Sequence, residues 1–284
     1  MPPQFRELRY VRRHVGDLEQ ACRFAEEVFG LKPEDQTETE AIFRSDTRFY
    51  SLCLSTDLPD AVAFRVDQDT MLDDFAEHCA GAGFETHDII GDAAERRMIK
   101  RGIAVTAPNG TILEIVWRHL ESGWPYHDSR DTGLTGFSAV QLGSTDVAAD
   151  ADFWQRAAGL NVADYAGDAR YLTLGQSHHQ IALYPSGHDG LLGAVWQVKS
   201  LDHVMRHWHF LRDHQVPVIH GPGRQPTSEA VFVTAQAPDN FLMTYATEMT
   251  APPETGPRQF RAEPRSHCSW GSHSDRGEFR GERT

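Results

Sequence analysis

The chain has 284 residues, 40% hydrophobic and 24% charged, which suits one large domain or two modules. A formal net charge of −14 argues against a nucleic-acid surface, which needs a basic face, and against an anionic membrane. A small neutral or aromatic ligand is the better match. Cys22, Cys53, Cys79 and Cys268 form no CxxC pair, and no apolar run is long enough for a signal peptide or a span, so a cytoplasmic setting is expected.

The chain repeats itself. Tyr10–Leu31 and Ala139–Leu160 each read as a strand, a polar Asp turn and a helix. Asp17 and Asp146 each precede an aromatic, Phe24 and Phe153, by seven residues, and Gly30-Leu31 and Gly159-Leu160 follow six later. A glycine after the periodic run supplies the left-handed end of a helix. The middles, AVAFRVDQDTMLDDFAEHCAGAGF and GAVWQVKSLDHVMRHWHFLRDHQV, are each an alternating strand then an amphipathic helix. The ends, APNGTILEIVW and APDNFLMTYAT, are each a tight turn then a strand. The expected organisation is α+β: a module at 5–117, a polar linker at 118–135, a second module at 136–250, and a tail at 251–284. The tail is rich in Pro, Gly, Ser and Arg and is expected to be disordered or strap-like.

These landmarks, with Gly221–Arg224 (GPGR), the His178-His179 pair and the Pro-Asp turn before the last strand, resemble the vicinal oxygen chelate superfamily. The two-module arrangement is similar to type I extradiol dioxygenases over about residues 5–250. The resemblance implies tandem βαβββ modules forming two cupped, barrel-like sheets (the glyoxalase/bleomycin resistance/extradiol dioxygenase fold), with the pocket in the second module and a tendency to self-associate. It also implies a ferrous ion held by two His and one Glu, a triad that leaves positions open for a diol and oxygen. The matching positions are Ala139, Gly193 (fourteen after His179) and Thr244 (six after Pro238). None offers the family's donor, so no metal and no cofactor are expected. The family's pocket histidine and tyrosine are replaced by Gln225 and Thr234. The equivalent first-module positions are Tyr10, Ala61 and Glu114.

His179 matches the family's acid–base histidine and is the candidate catalytic group, since an unperturbed imidazole titrates close to neutrality. His178 alternates to the opposite face and is expected to be structural. Strand alternation places Gln141, Tyr171, Gln225, Thr234 and Thr244 near the same cavity as substrate-binding groups. His203, His207, His209 and His214 read as a solvated helix face rather than a metal site, and His119 and His127 as surface residues of the linker. No GxGxxG, GxxxxGK[ST] or GxSxG pattern is present. The leading expectation is a metal-independent enzyme of natural-product tailoring, using acid–base chemistry (dehydration, cyclisation or isomerisation) on an aromatic or polyketide-like substrate. The alternatives are a non-catalytic binding or resistance protein and an Fe(II)-dependent extradiol dioxygenase.

Overall fold

Strands and helices follow the two repeats, and the computed structural model describes residues 5–128 and 130–280. The first half runs β1 (Glu7–His14), α1 (Leu18–Arg23), β2 (Lys32–Gln36), β3 (Glu40–Arg44) and β4 (Leu52–Ser55). It continues with β5 (Ala61–Val66), α2 (Thr70–Ala82), β6 (Thr86–Ile89), α3 (Asp92–Arg96), β7 (Arg101–Thr106) and β8 (Ile112–Trp117). The second half repeats the plan: β9 (Leu134–Ser144), α4 (Val147–Arg156), β10 (Asn161–Ala166), β11 (Ala169–Thr173) and β12 (Ile181–Pro185). Then come β13 (Gly190–Val198), α5 (Leu201–Asp213), β14 (Val218–Arg224), β15 (Val231–Gln236) and β16 (Leu242–Thr247).

Local chemistry sets these elements. Asp17 caps α1 by accepting from Gln20 N at 2.9 Å, and Asp146 caps α4 by accepting from Ala149 N at 3.1 Å. Gly30 and Gly159 turn the chain out of these helical segments at φ +83° and +65°. The strands order as β2-β3-β4-β1-β5-β8-β7-β6 in one sheet; β10-β11-β12-β9-β13-β16-β15-β14 form the body of the other. Each sheet is thus two βαβββ units joined through their first strands, β1 to β5 and β9 to β13. One continuous apolar core runs under both sheets. In it Phe29 packs on Trp196 with ring centres 4.9 Å apart.

The tail departs from its expected disorder. Residues 251–280 are ordered and contribute β17 (Arg258–Phe260) and β18 (Trp270–Gly271); 281–284 lie outside the described residues. β17 adds to the β10 edge and β18 to the β14 edge, so the tail straps across the second sheet from one side to the other. Composition misleads here because order comes from two unpaired sheet edges and a few buried anchors, Cys268 and Phe279 among them. Among the described residues, no helix is long and apolar enough to cross a membrane.

Two histidines expected at the surface are buried. His119 is 4% exposed and accepts from Arg9 Nε at 2.7 Å. His207, on α5, is 2% exposed and stacks on Tyr245 with ring centres 3.8 Å apart. Each is covered by a partner distant in sequence, which a polar local stretch does not reveal.

Candidate active-site cup of the second module

Cross-strand register decides which residues share the floor of the cup. Val195 on β13 faces Ala139 on β9 and Thr244 on β16. The first sheet repeats this row as Tyr10, Ala63 and Glu114. By register Ala139, Val195 and Thr244 share one row, and its first-sheet counterpart is Tyr10, Ala63 and Glu114, with Ala61 two residues away along β5. Gly193 pairs instead with Gln141 and Leu242, two residues away along β13, because the β9–β13 ladder shifts register between Leu191 and Gly193 and again after Val195. Gly193 has little room for a side chain in this structure. A Cβ there would collide with Leu242 O and lie 2.7 Å from Leu242 Cβ and 2.8 Å from Gln141 Oε1.

The cup holds a cavity with about 30 Å3 open to water, room for one or two molecules. His179, Gln141, Gln225, Thr234 and Thr244 all line it, as the sequence suggests. Tyr171 does not; it lies fully buried behind the wall, where its hydroxyl accepts from Gln225 Nε2 at 3.1 Å. Gln225 Oε1 accepts from Ser228 Oγ at 2.6 Å, and the Thr234 and Thr244 hydroxyls bond each other at 2.9 Å. Each of these lining atoms has one bond to the scaffold and keeps further capacity toward the cavity. Among the fully buried polar atoms of the lining residues, Gln141 Oε1 and the Nε2 atoms of His220 and His267 have no protein partner. Sequence reasoning missed Tyr184, His220, His267 and Phe279 as lining residues. The proximity of His220 to the GPGR segment was a usable signal; nothing local marked His267 or Phe279 in the tail.

His179 sits in the turn before β12 and is 3% exposed. Burial, reinforced by His178, holds its imidazole well below the ordinary histidine range rather than near neutrality. His178 is more than a packing residue. Its Nε2 lies 2.7 Å from Asp164 Oδ2 and its Nδ1 lies 3.0 Å from His179 Nδ1. Burial would raise the Asp164 carboxyl, but hydrogen bonds from Arg258 and His178 outweigh that and hold it below the usual range. A carboxylate can only accept, so His178 Nε2 carries the proton. Burial also keeps His178 neutral at pH 7, which leaves its Nδ1 as the acceptor for His179 Nδ1–H. His179 Nε2 then presents a lone pair to the cavity. Arg258, from the tail, completes this line with Nη2 at 2.6 Å from Asp164 Oδ2.

The first-module cup is filled. Glu114 accepts from Tyr10 at 2.5 Å, from Arg12 at 2.9 Å and from Arg97 at 2.9 Å. Desolvation works against this carboxylate, but the two guanidinium groups hold it ionised below its ordinary value.

A ferrous ion of the kind the family uses does not fit the second cup, because Ala139 and Val195 bring no donor atom and the Thr244 hydroxyl is engaged with Thr234. Among the described residues no group of three or more His, Cys, Asp or Glu is placed to hold a metal ion, the α5 histidines included.

Residues 136–245 match the Glyoxalase/Bleomycin resistance protein/Dioxygenase superfamily. Over 258 residues the chain is 25% identical to the 3-methylcatechol 2,3-dioxygenase of Pseudomonas putida, covering 84% of this chain and 88% of that protein. The Mn(II)-bound glyoxalase of Novosphingobium aromaticivorans superposes with a TM-score of 0.84 at 20% identity, covering 98% of both chains. A halotolerant catechol dioxygenase superposes at 0.87 and 16% identity, covering 98% of this chain and 97% of that one. The second module is therefore a domain of the Glyoxalase/Bleomycin resistance protein/Dioxygenase superfamily, on a chain with the overall fold of the extradiol dioxygenases.

Proposed function

We propose that the chain is an enzyme acting on a small aromatic substrate in the second cup, with His179 Nε2 as the base that takes a proton from it. The observation that carries this reading is His179 lining the cavity at the end of a line from Asp164 through His178, which assigns the free lone pair to its Nε2, beside the row of Ala139, Val195 and Thr244. The line from Asp164 through His178 orients the His179 ring, and burial keeps that ring neutral, so it meets the substrate as an acceptor. The fitting reaction class is proton transfer through an enol or phenolate, as in isomerisation, dehydration or cyclisation.

Ring cleavage of a catechol is the second reading. It is favoured by the whole-length likeness to 3-methylcatechol 2,3-dioxygenase, and on kinship alone it is the better supported. Its difficulty is chemical: the row offers no triad.

One experiment separates them. The purified chain is incubated in D2O with an enolisable hydroxyaryl ketone, and in air with 3-methylcatechol, each with and without Fe2+. Metal-independent deuterium exchange that is lost in His179→Ala, with ring binding retained, supports the proposal. Fe2+-dependent ring cleavage overturns it in favour of the second reading. Binding without either reaction overturns it in favour of a carrier.

A further inference from the structure

The tail contributes a polar group to the cavity that the relatives' ligand row does not account for. His267 is 2% exposed and lines the cavity, with Nε2 unpartnered. Its Nδ1 lies 3.5 Å from the Tyr171 hydroxyl. That oxygen accepts from Gln225, and its proton has two neighbours at 3.5 Å, the Tyr184 hydroxyl and His267 Nδ1. In the tautomer where Tyr184 donates to Tyr171 and Tyr171 to His267, the imidazole carries its own proton on Nε2, as a donor into the cavity. Lining the same space are His179, whose Nε2 the relay leaves as an acceptor, the unpartnered Gln141 Oε1 and the unpartnered Nε2 of His220. No Asp, Glu, Lys or Arg lines the cavity among the described residues.

Buried polar atoms without partners are rare in folded proteins, and several around one cavity mark the place of a polar ligand. Phe279, also from the tail, closes the cup beside His220, with ring centres 4.9 Å apart. His267 and Phe279 thus place the tail on the wall of the cup, against whatever ligand it holds.

We infer that His267 is a specificity-determining ligand contact delivered by the C-terminal strap, and that the cup selects an uncharged ring bearing a hydroxyl beside an acceptor oxygen. The hydroxyl donates to His179 Nε2 or Gln141 Oε1, and the neighbouring oxygen accepts from His267 Nε2–H. The inference rests on the reading of the cup as an aromatic-ligand site, and its test separates the two.

Dissociation constants for catechol and toluene are measured on the full chain and on His267→Phe and His267→Gln. His267→Phe keeps a ring in the strap and is expected to weaken catechol about tenfold, the loss of one neutral hydrogen bond, with toluene unchanged. His267→Gln keeps a donor and restores most of the affinity. Equal weakening of both rings, or catechol binding unaffected by His267→Phe, overturns the inference while leaving the aromatic site standing. If the wild-type chain binds neither ring, the aromatic reading falls and this inference with it. Imidazole nitrogen resonances of the wild-type chain provide a check that needs no variant. Saturating catechol is expected to shift His267 and His179 but not the distant His119, and an unmoved His267 contradicts the inference.

Discussion

His178 Nδ1 stands 3.0 Å from His179 Nδ1, so the two adjacent imidazoles hold one proton between them. The direction of that proton follows from Asp164, which fixes His178 as its donor. Long-range proton–nitrogen spectra of the wild-type chain are expected to show His179 protonated on Nδ1 and bare on Nε2. In His178→Phe the His179 Nδ1–H loses its acceptor and Asp164 loses a donor, the tautomers mix, and stability falls by at least about 1–3 kcal/mol, the cost of one unsatisfied buried group. A wild-type His179 protonated on Nε2 would contradict the relay.

Acid stability provides a second check. Burial lowers His179 and His207 well below the ordinary value, His267 to about 4 and His220 to about 3. Above the unfolded value of about 6.5 these groups are neutral in both states and contribute nothing to the pH dependence. As pH falls below it, the unfolded chain binds protons that the folded chain refuses, so stability declines. The slope approaches about 1.4 kcal/mol per pH unit for each such histidine. Urea midpoints between pH 7 and pH 5, above the main carboxylate range, are expected to drop steeply. A flat profile there would show that the imidazoles are not held neutral by burial.

The buried cluster of the first module behaves differently. Glu114→Gln leaves Arg12 and Arg97 charged around a neutral amide in a site about as dry as the core. Breaking one side of a buried ion pair costs about 3–5 kcal/mol. Urea unfolding of this variant is expected to show a loss of that size, and wild-type stability would mean that water or another acid reaches the two guanidinium groups.

Gly193→Ala separates a packing glycine from a vacated ligand seat. Its Cβ would press on Leu242 and on Gln141 Oε1, so overpacking of about 1–3 kcal/mol is expected on thermal or urea unfolding. A neutral effect would indicate a spacious position and return Gly193 to the ligand row in place of Val195.

Much of the scaffold was legible because its signals are local. Asp17 and Asp146 announce helix starts by capping chemistry, Gly30 and Gly159 their ends, and alternation marks the strands that bring Gln141, Thr234 and Thr244 to one cup. Register was not legible to the residue. Counting fourteen from His179 lands on Gly193, but the loop between β12 and β13 and the shifts in the β9–β13 ladder place Val195 in the row. Of the two expectations for the tail, the strap is the one the structure describes, and composition alone could not choose it. Its composition speaks for the isolated chain, whereas its order comes from the exposed edges of β10 and β14 and from Asp164, which receives Arg258. His178 was read by strand alternation, yet it and His179 lie in a turn where their rings can meet.

The central claim is that the second cup works through a neutral histidine line and not through an iron triad at Ala139, Val195 and Thr244. Metal content of the full chain, purified without oxygen and then exposed to Fe2+ or Mn2+ and desalted, tests it most directly. The account predicts far less than one ion per chain and no oxygen uptake with 3-methylcatechol. One tightly held ion per chain, with oxygen uptake that disappears when the ion is stripped, would contradict it.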